Sequence, residues 1–202
     1  MKKKYALSLA AVAMIGTLAV GGTLAWFTDT ETATNVVTMG NVDITLNEDG
    51  GEDGVTGENG LEYTDVMPGD KFQKTVTIKN DKNDAYVRAI ITVSGSEAVM
   101  ATFGDNVPEN DIKFIGLDSD AKWTQNEDGS YSTAVYYKNS ESNNIMTNHE
   151  DVLFTVFTDI QIPGEEWDNV FADGSFNIKV DAQAIQAANL TEEEAWKAMP
   201  NN

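Results

Sequence analysis

The sequence predicts an all-β fold: an antiparallel β-sandwich with one or two short helices, preceded by an N-terminal signal peptide. Short runs of β-branched and aromatic residues recur along the chain, and turn residues separate them at spacings typical of a sandwich. Helix signals occur in only two short segments. The 202 residues therefore suit a signal peptide at 1–26 and a single β-sandwich domain at 27–202.

The N-terminal leader has the layout of a secretory signal. A basic start at Lys2–Lys4 is followed by an apolar stretch that ends near Val20 and by small or flexible residues. The predicted cleavage region is Ala25, Trp26 and Phe27, with the cut just before Trp26 or just before Phe27. The alternative is an uncleaved anchor, because the leader is about long enough to cross a membrane, where ~20 apolar residues suffice.

The chain is strongly acidic and contains no cysteine. It has 13 Lys and Arg against 33 Asp and Glu, for a net charge of -20. Three lysines lie in the leader, so its removal gives 10 minus 33, or -23. This charge excludes nucleic acids and, after cleavage, membrane surfaces as partners, while cations and basic partners remain possible. The lack of cysteine excludes disulfides and thiol chemistry.

The first half of the mature chain is predicted to hold an arm, a strand and a loop. Polar, Thr-rich residues 27–35 favour a flexible arm, and the β-branched run Val36–Leu46 favours a strand. Residues 27–40 together could serve as a donor strand or arm. Glycines and acids dominate 47–60, which indicates an exposed acidic loop.

A turn and a hairpin are predicted next. Met67–Asp70 reads Met-Pro-Gly-Asp, where Pro fixes φ and Gly accepts the positive φ of a type II turn. The runs Phe72–Ile78 and Tyr86–Val93 flank the turn residues at 80–84, and this pattern predicts a β-hairpin.

The rest of the chain is predicted to contain further strands and the two helices. Three strands are expected at Tyr131–Tyr137, Val152–Ile162 and Phe176–Ala187. A short helix is expected at Ser96–Phe103, and a capping box at Thr191–Glu194 opens a last helix that Pro200 ends. The expected core residues of the strand at 152–162 are Phe154, Val156, Ile160 and Ile162.

The sequence offers little material for catalysis or metal binding. His149 is the single histidine, and the second His of an H-E-x-x-H zinc motif is missing, as is a G-x-S-x-G nucleophile elbow. Asp118–Asp120 and Asn126–Gly129 resemble fragments of calcium loops without the full ligand series, so turn chemistry explains them better. We therefore expect no catalytic residue, no enzyme activity and no cofactor, with calcium as the alternative.

Three segments together resemble the TasA/camelysin family of secreted bacterial biofilm-matrix and surface proteins. They are the leader junction Leu24–Asp29, the strand Gly40–Leu46 and the turn Met67–Asp70. The junction, an aromatic residue followed by Thr and Asp, is similar to the family's substrates for a dedicated signal peptidase. The resemblance implies a jelly-roll domain at the cell surface whose freed N-terminus can complete the sheet of a neighbouring subunit, so that fibres grow by donor-strand exchange.

The candidate donor-strand residues are Phe27, Val36, Val37 and Met39. Residues 36–39 could instead simply begin the first strand of their own domain. The sequence thus predicts a secreted structural protein of the bacterial extracellular matrix or cell surface that associates with itself or with related matrix proteins. An acidic surface module that binds a cation or a basic partner is the alternative. A metallopeptidase, as camelysin-type relatives have been classed, is the less favoured one.

Overall fold

The computed structural model describes residues 27–28, 37–39, 41–52, 54–57, 60–63, 67–104, 111–164, 167 and 175–199. The predicted leader, with Ala25 and Trp26, lies outside these residues, as do Val36 and Pro200. The described elements are β1 (Phe27–Thr28), β2 (Val37–Met39), β3 (Ile44–Asp49), β4 (Val55–Gly57), β5 (Gly60–Tyr63), β6 (Lys71–Asn80), β7 (Ala85–Gly95), α1 (Glu97–Gly104), β8 (Lys113–Ile115), β9 (Thr124–Gln125), β10 (Tyr131–Tyr136), a 3-10 helix (Ser140–Ser142), β11 (Leu153–Gln161), β12 (Phe176–Gln186) and α2 (Glu192–Ala198).

The strands form two sheets, which confirms the predicted all-β sandwich with two short α-helices. Sheet 1 has the order β4-β5-β1-β12-β7-β10-β9, with β2 also paired to β12. Sheet 2 has the order β3-β6-β11-β8. From β6 to β12 the chain alternates between the two sheets, apart from the short hairpin of β9 and β10 within sheet 1. The two inner faces therefore share one hydrophobic core.

Side chains alternate between core and surface along the long strands, as the pleat of a strand requires. In β6 the inward residues Phe72, Val76 and Ile78 are buried while their neighbours are more exposed. The core residues predicted for β11 are confirmed: Val156, Ile160 and Ile162 are buried, and Phe154 packs against the core from a half-buried position.

The predicted turn at Met67–Asp70 is confirmed. Gly69 has a φ of +90°, and the backbone N–H of Asp70 donates to the carbonyl of Met67 at 3.0 Å. The Asp70 carboxylate also accepts the Met67 N–H at 2.8 Å. This turn delivers the chain into β6, as the sequence predicts.

The predicted single strand at 36–46 is wrong, because the segment divides into two strands of different sheets. β2 belongs to sheet 1 and β3 to sheet 2, and residues 41–43 join the sheets. The crossing is fixed by the buried side chain of Val42 and by the carbonyl of Asp43, which accepts the N–H of Asp81 at 2.8 Å. The loop predicted at 47–60 is also only partly correct, since β3 runs to Asp49 and β4 pairs with β5.

The predicted hairpin of Phe72–Ile78 and Tyr86–Val93 is wrong as well. β6 pairs with β3 and β11, whereas β7 pairs with β12 and β10, so the turn between them crosses from one sheet to the other. The buried Asn80 holds this crossing, because its Nδ2 donates to the carbonyls of Asn83 and Met146, both at 2.8 Å.

Both predicted helices are present. α1 packs Val99 and Met100 into the core, although the Oγ of Ser96 makes no hydrogen bond within the described residues and so does not cap the helix. The capping box of α2 is complete: the Thr191 hydroxyl accepts the Glu194 N–H at 3.4 Å, and the Glu194 carboxylate accepts the Thr191 N–H at 2.8 Å. Ala195 and Met199 of this segment pack on the outer face of sheet 1.

A buried ion pair lies on the inner side of sheet 2. The Lys74 side chain is 1% exposed, and its Nζ lies 3.1 Å from the Glu48 carboxylate on edge strand β3. Burial lowers the pKa of Lys74 from its ordinary value of 10.5 to about 7. Burial therefore makes the charge on Lys74 costly, and the contact with Glu48 offsets part of that cost.

We expect Lys74→Met to lower the free energy of unfolding by about 3 kcal/mol, because the largely buried Glu48 carboxylate then loses its ion pair with Lys74. The double variant Lys74→Met/Glu48→Leu should recover most of this loss, since two apolar side chains replace the pair. Urea denaturation of the three proteins measures both effects.

The ion pair of Lys74 and Glu48 also predicts that the stability of the protein depends on pH. Between pH 7 and about 10 the unfolded Lys74 amine holds a proton that the folded one has released, so the stability of the wild type should rise with pH relative to Lys74→Met. The slope should approach 1.4 kcal/mol per pH unit at most, as an estimate of about one proton. A wild-type-to-variant difference that stays constant from pH 7.5 to 9.5 would contradict the assignment.

Candidate functional site: the N-terminal arm on strand β12

Strand β12 is paired along both of its edges. On one edge it pairs antiparallel with β7 through eleven register pairs, from Phe176 opposite Gly95 to Gln186 opposite Ala85. On the other edge it pairs with β1 and β2, which precede every other described strand in the chain. We call residues 27–39 the N-terminal arm.

Both arm strands run parallel to β12, in a sandwich whose other strand pairs are antiparallel in the described residues. Phe27 of β1 lies opposite Phe176 at the start of β12. Val37 and Met39 of β2 lie opposite Gln183 and Ile185 near its end. The two described arm strands therefore pair with the start and with the end of one edge of β12, through backbone hydrogen bonds that do not depend on side-chain identity.

β1 also links the β4–β5 hairpin to sheet 1. Phe27 and Thr28 pair antiparallel with Tyr63 and Glu62 of β5, so β1 lies between β5 and β12. Among the described strands, β5 is otherwise paired only with β4. Removal of the arm would thus uncover the edge of β12 and detach the hairpin from its sheet.

β12 is buried on both faces, so backbone groups left unpaired along its edge would cost free energy. The inward residues Phe176, Ile178 and Val180 belong to the core, and the outward residues Asp181 and Gln183 are only 4% and 1% exposed. Buried backbone N–H and C=O groups must find partners, because each unpaired group costs about 1–3 kcal/mol. An arm, from this chain or from another, is therefore required along this edge.

The outward face of β12 carries a buried polar row. The Gln183 Oε1 accepts the Nε–H of Arg88 on β7 at 2.8 Å, and the guanidinium of Arg88 lies 5.6 Å from the ring centroid of Trp196 on α2. Asp181 pairs with the Lys179 Nζ at 2.9 Å. The Asp181 Oδ1 has no hydrogen-bond partner in the described residues. Through Arg88, the outward face of β12 is thus connected to β7 and to α2.

The predicted donor-strand residues map onto this edge. Phe27 is in β1, Val37 and Met39 are in β2, and Val36 lies outside the described residues. Within this single chain β1 and β2 pair with a strand of their own domain, and β2 is separate from β3 rather than the start of it. The sequence did not point to β12 as the receiving strand, because Asp181 and Gln183 interrupt the apolar run that is typical of a strand buried on both faces.

A peptidase zinc site does not fit the described residues. His149 is exposed in a loop, and its carbonyl accepts the Val152 N–H at 3.0 Å. A catalytic zinc ion needs about three protein ligands and an open position. In the part of the chain that the structure describes, no three His, Cys, Asp or Glu side chains come together in a group that could hold a metal ion.

The acidic motifs that resemble calcium loops are occupied by local contacts. The Lys138 Nζ lies 2.6 Å from Asp118 and 3.3 Å from Asp120. The hydrogen bond from Lys138 and that from the Asp120 N–H lower the pKa of Asp118. In the second motif, hydrogen bonds from the Ser130 hydroxyl and N–H lower the pKa of Asp128. Turn chemistry thus accounts for both motifs.

Among the described residues, no helix is long and apolar enough to cross a membrane. Comparison with known proteins gives one positive result. The chain matches the family described as camelysin metallo-endopeptidase over residues 1–157, which include the leader, the arm, the turn at 67–70 and the first part of β11. No curated protein and no solved structure matches it. Because the match spans 157 of 202 residues, the chain belongs to the TasA/camelysin family of bacterial surface and secreted proteins.

Proposed function

We propose that the mature chain is a structural protein of the extracellular matrix or cell surface that assembles by exchanging its N-terminal arm. In the assembled state the arm of one copy lies along β12 of the next copy, in the place that it takes on its own β12 here. The observation that carries this proposal is the parallel pairing of β1 and β2 with one edge of β12. Related matrix proteins with a similar arm could take the same place.

The exchange replaces each backbone contact by an identical one. An arm that pairs in register with β12 makes the same hydrogen bonds whether it comes from its own chain or from another, as in other domain-swapped proteins. Strand addition to a sheet edge is also a general mode of recognition, in which main-chain hydrogen bonds supply the affinity. The enthalpy of these hydrogen bonds therefore favours neither the monomer nor the assembled state, and the protein concentration determines which of the two is populated.

The boundary between the arm and the fixed domain lies at residues 41–43. Val42 is 7% exposed and belongs to the core, so the chain is anchored from this residue onward. Before it, Asn41 makes two hydrogen bonds: its N–H donates to Gln186 at 3.3 Å and its carbonyl accepts from Asn83 at 2.8 Å. Both involve exposed groups, so a hinge at Asn41 can open with little loss.

An arm can move to a neighbour only when its end is free. Cleavage by the signal peptidase at Ala25, Trp26 or Phe27 would place the first arm strand at or near the new N-terminus. Before cleavage, the leader would tether the arm to the membrane. Export and processing would therefore also control assembly, and the mature charge of -23 (10 minus 33) would keep released copies apart until their concentration is high.

Peptidase activity is not part of this proposal, although the family carries that description. The residues that the structure describes do not gather a zinc-ligand set, and His149 lies in an exposed loop. The fibre role rests instead on the pairing of the arm.

A disulfide that locks the arm in place tests the exchange. Thr38 and Ala184 are register partners in β2 and β12, and the natural chain has no cysteine, so Thr38→Cys/Ala184→Cys can form a single defined disulfide. We expect the mature double variant, from Phe27 onward, to stay monomeric when oxidised and to form fibres when reduced. Size-exclusion chromatography and electron microscopy measure this.

The single variant Thr38→Cys, with its thiol alkylated, is the matched control and should assemble in both conditions. A protein lacking residues 27–39 should form no fibres of its own. Fibres from the oxidised double variant would contradict the exchange. Monomers from the wild type at all concentrations would also contradict it and would favour the acidic binding module.

A peptidase assay tests the family description separately. We expect the mature protein, with zinc added, to leave casein uncleaved, and we expect His149→Ala to behave identically in both the assembly and the cleavage assays. Cleavage that is abolished both by a chelator and by His149→Ala would show that the peptidase description applies to this chain.

A further inference from the structure

A groove with two aromatic walls lies on the outer side of sheet 1, away from the arm. It has a volume of about 520 Å³, within the range of about 300–1,000 Å³ that is usual for ligand sites. Its residues come from the end of β10, the 3-10 helix with its following turn, and α2. The lining residues of this aromatic groove are Tyr136, Lys138, Ser140, Asn144, Glu192 and Trp196.

The two aromatic rings form a preformed corner. The centroids of Tyr136 and Trp196 are 4.9 Å apart, with 65° between the ring planes. Trp196 is held from three other directions: by the Arg88 guanidinium at 5.6 Å, by the edge of Tyr86 at 6.1 Å, and by its own Nε1–H, which donates to Glu192 at 3.3 Å. Both rings are only half-buried, so apolar ring surface stays open to a ligand.

The polar rim of the groove is held by a strained turn. Asn143 and Asn144 have successive φ values of +52° and +63°, a left-handed conformation that residues other than glycine seldom adopt. The Asn144 side chain accepts the Asn139 N–H at 2.9 Å and donates to Glu192 at 3.0 Å. Backbone strain of this kind is often stored at binding sites, where it fixes a side chain in place.

Several polar groups of the rim remain able to bond a ligand. The hydroxyls of Tyr136 and Ser140 make no hydrogen bond to the described part of the chain. Each oxygen of Glu192 accepts one hydrogen bond and can accept another. The groove thus combines an apolar corner with donors and acceptors at its edge.

The charges around the groove nearly cancel on a chain with a net charge of -20, since the two cations Lys138 and Arg88 lie near three carboxylates, those of Asp118, Asp120 and Glu192. Lys138 is neutralised by Asp118 and Asp120, whose hydrogen bonds raise its pKa. The Arg88 guanidinium lies 5.6 Å from the centroid of the Trp196 indole, whose Nε1–H donates to Glu192 at the rim. An anionic ligand would meet the Glu192 carboxylate, and a cationic one would meet the Lys138 ammonium group. A neutral ligand meets neither penalty.

We propose that the aromatic groove binds a neutral sugar residue of a glycan. A pyranose ring has an apolar face of C–H groups that can stack on an aromatic ring, and its edge of hydroxyls both donates and accepts hydrogen bonds. The corner of Tyr136 and Trp196 matches the first property, and the rim of Ser140, Asn144 and Glu192 matches the second. The site shares no residue with the arm or with β12, so it operates in monomers and in fibres alike.

Titration with short oligosaccharides tests the proposal on the mature protein. The probes are tri-N-acetylchitotriose and cellotriose, each to about 10 mM, which detects dissociation constants in the millimolar range. We expect chemical-shift changes in the amide spectrum, with at least one of the two probes, that map to residues 136–144 and to α2. Trp196→Leu and Tyr136→Ala should each weaken binding about tenfold or more.

Two conservative variants separate binding from folding. Tyr136→Phe keeps the ring and should retain most of the affinity, and Trp123→Phe, which alters an indole packed elsewhere against Phe103 and Phe114, should retain all of it. The proposal is overturned if neither probe shifts the groove resonances, or if the shifts persist in Trp196→Leu. It is also overturned if the same resonances shift only with protein concentration, since the groove would then be a contact between copies.

Discussion

The hydrogen-bonded edges of β12 are the constraint on which the rest of sheet 1 depends. β7 pairs with it over its full length and carries β10, which in turn carries β9. On the other side, β1 carries the β4–β5 hairpin. Because β12 is buried on both faces, neither edge can be left to water without leaving backbone groups unpaired. The fold thus requires an arm on this edge of β12. The pairing alone does not determine whether that arm comes from the same chain or, as proposed, from another copy.

The outer face of β12 explains why the fold keeps polar groups where an apolar strand would be simpler. Arg88 bonds Gln183 with its Nε and lies behind Trp196, so one buried cation connects β7, β12 and α2. Inside a protein such contacts are stronger than in water, and they require a single geometry. The same indole then forms one wall of the aromatic groove. The groove is therefore as rigid as the sheet beneath it.

Local chemistry was enough to predict the long strands and both helices of this fold, and distance along the chain explains much of what it could not predict. The turn at Met67–Asp70, the capping box at Thr191 and the long strands follow from residues that are close together in sequence. The hairpin predicted between β6 and β7 failed, because a turn within one sheet and a crossing between two sheets use the same residue types. The deciding contact, from Asn80 to the Met146 carbonyl, comes from 66 residues away.

The same limit applies to the candidate sites. Phe27, Val37 and Met39 were named from the sequence as donor residues and do lie on strands, but their partner β12 is almost 150 positions later, and a parallel pairing leaves no turn signal between them. Trp196 lies on the last helix, which the capping box predicts. Its neighbours Tyr136 and Asn144 could not be foreseen, since the 3-10 helix and its two left-handed asparagines bring them to α2.

In the proposed exchange, the control of assembly would lie in the small free-energy differences between an arm on its own β12 and an arm on the β12 of another copy. The backbone hydrogen bonds to β12 are the same in the two arrangements, so they do not change the equilibrium between them. They contribute only to the activation barrier of the exchange. To leave, an arm must break its pairing with β12 and with β5 together, because β1 lies between those strands. The opposing terms in the equilibrium are the freedom of the hinge at Asn41, the repulsion between acidic domains and the local concentration. A system with equal end states and a high barrier between them changes slowly in both directions. Fibres once formed would then persist after dilution, even though no contact in them is stronger than its counterpart in the monomer.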